Sequence, residues 1–260
     1  MYTMGLDFGS TASKGVVLKD GKEIVCTAII TSGTGTSGPE RVKEKLLTES
    51  NLLESDMEAV VVTGYGRMTY QGAKKQISEL SCHAKGVHFL VPDVGTVIDI
   101  GGGSTDIAIL SMDEIISSKS IRVASNKFDN DIIKYVKKEF NLLIGDKTAE
   151  EVKIELGTAI KVPETENEIS SIKGRDLVTG IPKNVEITSN QVIKDSINEI
   201  LSALKEVLEK CPPELSADVI DNGIILTGGG SLIKNLDKLI EDEVKITIKR
   251  ATNPLESVVI

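Results

Sequence analysis

The chain has little of what several functions would require. It has 260 residues, three of them cysteine and two histidine, and its formal net charge at pH 7 is −9. The excess of Lys and Arg on which binding to nucleic acid or to an anionic membrane depends is missing. No stretch approaches the roughly 20 apolar residues that span a bilayer. We therefore expect no nucleic-acid partner and no transmembrane segment.

Leader signals and metal-binding cysteine patterns are also lacking. Residues 1–4 lead directly into a strand, with no basic and apolar segment before it, so we expect a cytoplasmic protein. The cysteines are odd in number, widely separated and without a CxxC pair, which predicts buried free thiols. They are Cys26, Cys82 and Cys211. His83 and His88 lie five apart, unlike the i, i+4 pair of a helical zinc site, so we predict neither as a ligand.

What is present is a glycine turn that carries a carboxylate. The segment 99–106 reads DIGGGSTD, with β-rich apolar residues on both sides. This pattern predicts a hairpin whose bare backbone N–H groups can approach an anion, with Asp99 placed to hold the water shell of a metal ion. An ordinary glycine-rich turn is the alternative.

A second copy of this pattern lies near the N-terminus. Residues 7–18 align with residues 99–110 without a gap, so that Asp7 matches Asp99 and Gly9 matches Gly101. Both copies run from an apolar strand through Asp-x-Gly and small hydroxylic residues into another apolar strand. We predict two related half-domains whose facing hairpins grip the phosphates of one ligand.

A third glycine turn completes the set. Residues 223–230 form an apolar strand running into three glycines, and Ser231 opens an apolar-periodic segment that reaches Ile240. This predicts a helix N-terminus beside the ligand. With the three turns in this order, the sequence resembles the superfamily of actin, heat-shock-chaperone and sugar-kinase ATPases. The resemblance implies an α/β fold with two ribonuclease-H-like lobes around a nucleotide cleft.

Periodicity and capping signals predict the other elements. Strands are expected three times within 2–30, then over 58–63 and 114–123; helices over 39–50, 74–90 and 128–143, from a capping box at 148–151, and from a second one at 188–191 through Leu208. Residues 31–38 are either a loop or a second ligand-facing segment.

Three charged residues in these helices are candidates for the site. Glu79 lies among apolar and small residues, where it is either a solvated face position or a carboxylate that orients a water. Glu150 and Lys153 are three apart and share a helix face. They are either an acceptor and a donor for a ribose or adenine, or a surface ion pair.

Two more specific resemblances divide the chain. The first part resembles the ATP-dependent activators of 2-hydroxyacyl-CoA dehydratases, the BadF/BadG/BcrA/BcrD type, through GLDFGSTASKG, GTGTSGP, TGYGR and QISELSCHAKG. From about Asp99 onward it resembles MreB, the bacterial actin, through DIGGGSTDIAIL, NLLIGDKTAEEVKIELGTA, GRDLVTGIPK and GIILTGGGSLI. The chain therefore looks like a chimera with a first lobe over 1–95 and a second over 96–260.

Each part departs from the other's family. The activators hold a [4Fe–4S] cluster between two subunits, with cysteines in segments downstream of the second phosphate turn, and neither segment occurs here. MreB has a longer first lobe with an additional assembly subdomain, which this chain lacks.

Both resemblances imply a nucleotide site, which would bind ATP or ADP with Mg²⁺. Asp7 and Asp99 would hold the Mg²⁺ through water, and Glu79 would position the attacking water, with Asp99 as its catalytic partner. The phosphates would be contacted by Gly9, Ser10, Thr11, Lys14, Gly101, Gly102, Gly103, Ser104 and Thr105. The adenosine would be lined by Gly228, Gly229, Gly230, Glu150 and Lys153.

Three hypotheses follow. The first is an actin-superfamily ATPase, most similar to MreB in its second lobe, that self-associates as a filament or dimer. The second is an ATP-dependent activator that docks on a redox enzyme but lacks cluster ligands. The third is a nucleotide-binding hybrid without turnover.

Overall fold

The computed structural model describes residues 1–90, 95–111, 114–163, 167–189 and 194–255. Within these ranges, no helix has both the length and the apolar composition to cross a membrane. In chain order the elements are β1 (Tyr2–Phe8), β2 (Ser13–Lys19), β3 (Glu23–Ile30), α1 (Gly38–Ser50), β4 (Met57–Thr63), β5 (Lys75–Gln76), α2 (Glu79–Leu90), β6 (Thr96–Ile100), β7 (Thr105–Ser111), β8 (Glu114–Ile121), α3 (Ser125–Phe140), β9 (Leu142–Leu143), α4 (Asp146–Leu156), β10 (Ile169–Asp176), β11 (Pro182–Thr188), α5 (Lys194–Glu209), α6 (Pro213–Asn222), β12 (Ile224–Thr227), α7 (Leu236–Val244) and β13 (Ile248–Arg250).

Two five-stranded sheets share one topology. The first has the order β3-β2-β1-β4-β5, and the second has the order β8-β7-β6-β12-β13. In each sheet the three consecutive strands are antiparallel, and the last two run parallel to the first of them. The predicted pair of related half-domains is therefore confirmed.

Each sheet buries an apolar face under a helix. Val42 and Leu46 of α1 are fully buried with Met4, Leu6 and Val62 of the first sheet. The helix α5 and the strands of the second sheet form the largest apolar cluster. Burial of this kind stabilises the fold by about 25 cal/mol per Å² of apolar surface.

A small third sheet, ordered β11-β10-β9, is inserted between β8 and β12. It packs with α3 and α4 around its own apolar cluster, which includes Ile132, Val136 and Leu156. The second sheet thus carries a subdomain for which the first sheet has no counterpart in the described chain.

The helix α2 passes from one sheet to the other. It follows β5, the last strand of the first sheet, yet it contacts β6, β7 and β8 of the second sheet. The proposed lobe boundary after residue 95 stays a prediction, but this helix ties the two sheets together whichever lobe it is assigned to.

Several predicted boundaries were wrong. The helix expected over 74–90 begins only at Glu79, because residues 75–76 pair with β4 as β5. The helix α4 begins after Gly145, ahead of the predicted capping box at 148–151. The second capping box, at 188–191, lies partly outside the described residues. The three cysteines are free, as predicted, but they are half-buried rather than buried.

The segment after the third glycine turn also differs from the expectation. Residues Gly229–Leu232 form a 3₁₀ turn, and the α-helix starts only at Leu236. The Ser231 hydroxyl donates back to the carbonyl of Gly228, and Asn235 takes a left-handed conformation with φ of 59°. These local bonds separate the glycines from the helix N-terminus, so the helix does not begin at the turn.

Candidate functional site

Two buried carboxylates occupy equivalent places in the two sheets. Asp7 lies in β1 and is 2% exposed, and Asp99 lies in β6 and is 5% exposed. In register, Asp7 faces Lys14 across its hairpin, whereas Asp99 faces Asp106. The two acids therefore share a position but not a partner.

A glycine backs each of these acids. Gly64 follows β4 and Gly228 follows β12, with positive φ of 88° and 81°. A Cβ on Gly64 would lie 2.3 Å from Oδ1 of Asp7, and one on Gly228 would lie 2.6 Å from Oδ1 of Asp99. Only glycine has room and the backbone freedom for both positions. Gly64 is thus the counterpart of Gly228 in the first sheet.

Two of the predicted glycine turns, the one that begins at Asp7 (the phosphate-1 turn) and the one over 99–106 (the phosphate-2 turn), face and touch each other. A Cβ built on Gly102 would meet Oγ1 of Thr11 at 2.3 Å, and one on Gly103 would meet Oγ of Ser10 at 2.9 Å. Bare glycine backbone in one turn therefore lies against hydroxyl groups from the other. The structure brings the residues of the two predicted turns together.

Residues 31–37 pack behind the first turn. The Thr34 amide donates to the carbonyl of Gly9, and a Cβ on Gly33 would lie 2.1 Å from the carbonyl oxygen of Ser10. Between the loop and ligand-facing alternatives, the structure therefore favours a loop that supports the turn from behind.

The third glycine turn adjoins the second. A Cβ on Gly228 would meet the carbonyl oxygen of Ile100 at 2.3 Å, and one on Gly230 would meet the Ile100 side chain at the same distance. The Gly228 amide donates to the carbonyl of Pro254. Gly228, Gly229 and Gly230 thus lie at the edge of the phosphate-2 turn.

One oxygen of the Asp7 carboxylate has no hydrogen-bond partner. Burial raises its pKa, and Lys14, whose Nζ lies 3.8 Å from Oδ2, opposes that rise. Its other oxygen, Oδ1, is buried and has no hydrogen-bond partner. An unpartnered buried oxygen of this kind is typical of a site that an ion or a water completes.

Asp99 lies beside a buried histidine. Nε2 of His83 is 3.2 Å from Oδ2 of Asp99, and both side chains are almost without solvent. Burial alone would raise the pKa of Asp99, but the positive imidazole brings it below its usual value. Burial likewise acts to lower the pKa of His83, and the carboxylate of Asp99 raises it overall.

Glu79 lies at the start of α2, near enough to the acids and to His83 for their charges to act on it. Burial, then the negative charges of Asp7, Asp106 and Asp99, raise its pKa to about 7, while His83 opposes the rise. Glu79 is therefore not a solvated surface carboxylate. A carboxyl with such a pKa can accept or release a proton at neutral pH.

Two hydroxyl groups of the phosphate-2 hairpin already have partners. The buried Thr105 hydroxyl donates to the carbonyl of Val123, and the Ser104 hydroxyl donates to Oδ2 of Asp106. Burial raises the pKa of Asp106. Backbone N–H groups are therefore better placed to bind an anion here than the side chain of Thr105.

Glu150 and Lys153 lie in different surroundings on α4. Glu150 is exposed on α4, whereas Lys153 is buried, with Nζ 2.9 Å from Oδ1 of Asp129 and 2.8 Å from Oγ of Ser125. The Ser125 amide donates to the carbonyl of Gly101. In this state Lys153 supports the N-terminus of α3, which contacts the phosphate-2 turn.

Three residues of the site were missed from the sequence. His83 is four residues after Glu79, the spacing that places two side chains on one helix face. Asp106 is the residue that the gapless alignment pairs with Lys14. Gly64 follows Val-Thr as Gly228 follows Leu-Thr. Each signal was present, but only the structure shows that these residues lie beside the acids. His83 reaches Asp99 from α2, Asp106 pairs with Asp99 in strand register, and Gly64 lies against Asp7 after β4.

The donor set suits a hydrated magnesium ion. Among the described residues, no three His, Cys, Asp or Glu side chains are arranged to hold a metal directly. Mg²⁺ usually keeps several waters and uses only one or two carboxylates. Oδ1 of Asp7, which has no hydrogen-bond partner, and the carboxylate of Asp99 fit this way of binding a hydrated ion.

Two family models match the chain. Residues 71–260 match the model described as MreB/Mbl protein, and residues 4–118 match that of the BadF/BadG/BcrA/BcrD ATPase family. Both resemblances stated from the sequence are confirmed.

Curated relatives and a solved structure agree. Cell shape-determining protein Mbl of Bacillus subtilis is 46% identical over 178 residues, which cover 67% of this chain and 53% of that protein. A 2-hydroxyisocaproyl-CoA dehydratase activator of Clostridioides difficile is 61% identical over 113 residues, covering 44% of this chain and 42% of that protein. The chain spans about half the length of these relatives. MreB5 of Spiroplasma citri, solved with AMPPNP, has a TM-score of 0.76 and 29% identity, covering 99% of this chain and 93% of that one. The actin-like fold is confirmed.

The raised pKa of Glu79 generates a prediction about stability. Between its ordinary value of 4.5 and about 7, the folded state holds a proton that the unfolded state has lost. Its contribution to stability is therefore complete at low pH and is lost as the pH rises through about 7. Relative to Glu79→Gln, the wild-type free energy of unfolding should fall by about 2 kcal/mol between pH 5 and pH 8.

Urea denaturation of both proteins, without metal or nucleotide, measures this difference. A constant difference across the pH range would contradict the prediction, because it would mean that Glu79 titrates as an ordinary surface carboxylate.

Proposed function

The chain belongs to the MreB/Mbl protein family, and from that premise we propose that it binds ATP or ADP with Mg²⁺ and hydrolyses ATP. The observation that carries the proposal is the convergence of two equivalent acids, Asp7 and Asp99, with two touching glycine turns. Paired glycine turns and a cleft with two carboxylates are complementary to a metal-bound polyphosphate. The AMPPNP in the Spiroplasma citri structure supports the proposal for a chain of this shape.

In this proposal the turn residues bind the phosphates, and the two acids orient the hydrated metal ion. The backbone of Gly9, Ser10 and Thr11 contacts phosphate from one side, and that of Gly101, Gly102, Gly103 and Ser104 from the other. Asp7 and Asp99 hold the Mg²⁺ through water. The metal, when bound, neutralises phosphate charge.

The proposal assigns fewer residues to the adenosine than the sequence implied. Gly228, Gly229 and Gly230 lie beside the phosphate-2 turn, where they would line the nucleoside. Glu150 is exposed, so it is free to accept a bond from a ribose hydroxyl. Lys153 joins such a contact only if its ammonium leaves Asp129.

Glu79 is the proposed base for hydrolysis. Phosphoryl transfer depends mostly on placing the nucleophile and stabilising charge. A half-buried carboxylate with a pKa of about 7, in the same acidic cluster as Asp7 and Asp99, is suited to hold a water by accepting its hydrogen bond. Asp99 shares the catalytic role by fixing the metal's water shell.

Nucleotide binding is tested by thermal stability. Mg-ATP at a hundredfold excess over Kd should stabilise the wild type by about 2.7 kcal/mol, and Asp99→Asn should lose most of that gain because a neutral amide holds the metal's water shell poorly. Asp218→Asn, an exposed change on α6, is the matched control and should keep the full shift. Equal shifts in all three proteins would place the nucleotide elsewhere.

Hydrolysis is tested at Glu79. Glu79→Gln keeps the shape of the side chain and removes its charge, so phosphate release should fall about 10²-fold, with ATP affinity almost unchanged. Glu214→Gln is the control, since Glu214 also lies in the first turn of a helix but is exposed. Unchanged turnover in Glu79→Gln would reject the assignment, and a wild type that binds without turnover would favour the nucleotide-binding hybrid.

Self-association separates the MreB-like proposal from its alternative. The match of residues 4–118 to the BadF/BadG/BcrA/BcrD family favours, as a second candidate, an ATP-dependent activator without cluster ligands. A head-to-tail interface gives open filaments, whereas a two-fold one closes as a dimer.

Light scattering and sedimentation therefore give distinct outcomes. The MreB-like function predicts scattering that rises with Mg-ATP and sediments at high speed. A dimer whose size does not depend on nucleotide would instead favour the activator-like candidate. The Asp99→Asn variant controls for aggregation, because scattering that does not need the nucleotide site would persist in it.

A further inference from the structure

His83 is the one imidazole that the structure places in the described part of the cleft. It lies on the same face of α2 as Glu79, one turn further along, and its side chain is 2% exposed. Oδ2 of Asp99 lies 3.2 Å from its Nε2. The helix α2, which follows the last strand of the first sheet, thus places a hydrogen-bond donor beside Asp99 in the second sheet.

This contact compensates for an asymmetry between the sheets. Asp7 has a lysine opposite it in register, but Asp99 has a second acid, Asp106. The positive partner that β2 supplies to the first acid is therefore missing from β7. His83 supplies a hydrogen-bond donor from outside the sheet instead, with Nε2 3.2 Å from Oδ2 of Asp99.

The imidazole is not satisfied by its present surroundings. Neither Nδ1 nor Nε2 of His83 has an aligned hydrogen-bond partner, although Nε2 is within contact distance of Asp99. Buried polar atoms of this kind are uncommon and call for a physical reason.

We propose that His83 is a positioning residue of the nucleotide site, which holds the carboxylate of Asp99 through Nε2–H in the orientation that binds the metal's water shell. The inference rests on the proposed Mg-nucleotide site and assigns a role that the two phosphate turns do not require. Partners that orient a metal-binding carboxylate typically change metal affinity 10–100-fold when they are removed.

The two amide substitutions of His83 separate positioning from packing. In His83→Gln the side-chain nitrogen reaches about the place of Nε2, whereas in His83→Asn it reaches only about the place of Nδ1. A role through Nε2 therefore predicts rescue by Gln and not by Asn, while a packing role predicts no such order. His88→Gln, an exposed change on the same helix, is the matched control.

The measurement is the Mg²⁺ concentration that gives half of the maximal thermal shift at fixed AMPPNP, which needs no turnover. We expect His83→Asn and His83→Ala to raise this concentration about tenfold, His83→Gln to stay within about threefold of the wild type, and His88→Gln to be unchanged. The melting temperature without ligand, measured in parallel, reports any loss of folding in the Ala variant.

The possible results distinguish a failure of the proposed function from a failure of the role of His83. A wild type without any Mg-nucleotide shift would reject the proposed function itself. A wild type that shifts, with His83→Asn and His83→Ala showing the same Mg²⁺ dependence as the wild type, would reject only the role of His83. Tighter Mg²⁺ binding in His83→Ala would also overturn it, because His83 would then compete with the metal rather than position its ligand.

Discussion

The cost of burying two carboxylates at the ends of β1 and β6 governs the rest of the molecule. A buried charge without a partner is strongly unfavourable, so each acid needs a cation, a donor or a ligand nearby. Lys14 meets this need within the first hairpin, and His83 meets it in the second by way of α2. The helix that connects the sheets is thus also the one that balances charge in the cleft.

The same two acids account for the glycines around them. Parallel strands β4 and β12 end next to Asp7 and Asp99, and any side chain on the following residue would collide with the carboxylate. Gly64 and Gly228 therefore occupy equivalent corners with left-handed backbone. Each sheet uses the same strand arrangement to place an acid, a glycine turn and a left-handed glycine close together. The cleft forms where the two arrangements face each other.

Sequence patterns predicted what is local and repeated. The alignment of residues 7–18 with 99–110 was enough to identify the two hairpins and their acids, because turn chemistry and strand alternation depend on neighbouring residues. The buried state of Lys153 was not predictable in this way, since its partners Asp129 and Ser125 come from another helix. The 3₁₀ turn after Gly228 depends similarly on the bond that Ser231 makes back to it.

The site also bears on how one chain can match two families. The matched ranges, 4–118 and 71–260, overlap over the segment that contains α2, β6 and β7. That segment carries Glu79, His83 and Asp99, and its own glycine turn touches Ser10 and Thr11 of the other turn. A junction within this segment would keep Glu79, His83 and Asp99 together, because all three lie inside it, and it would join two sheets of the same strand order.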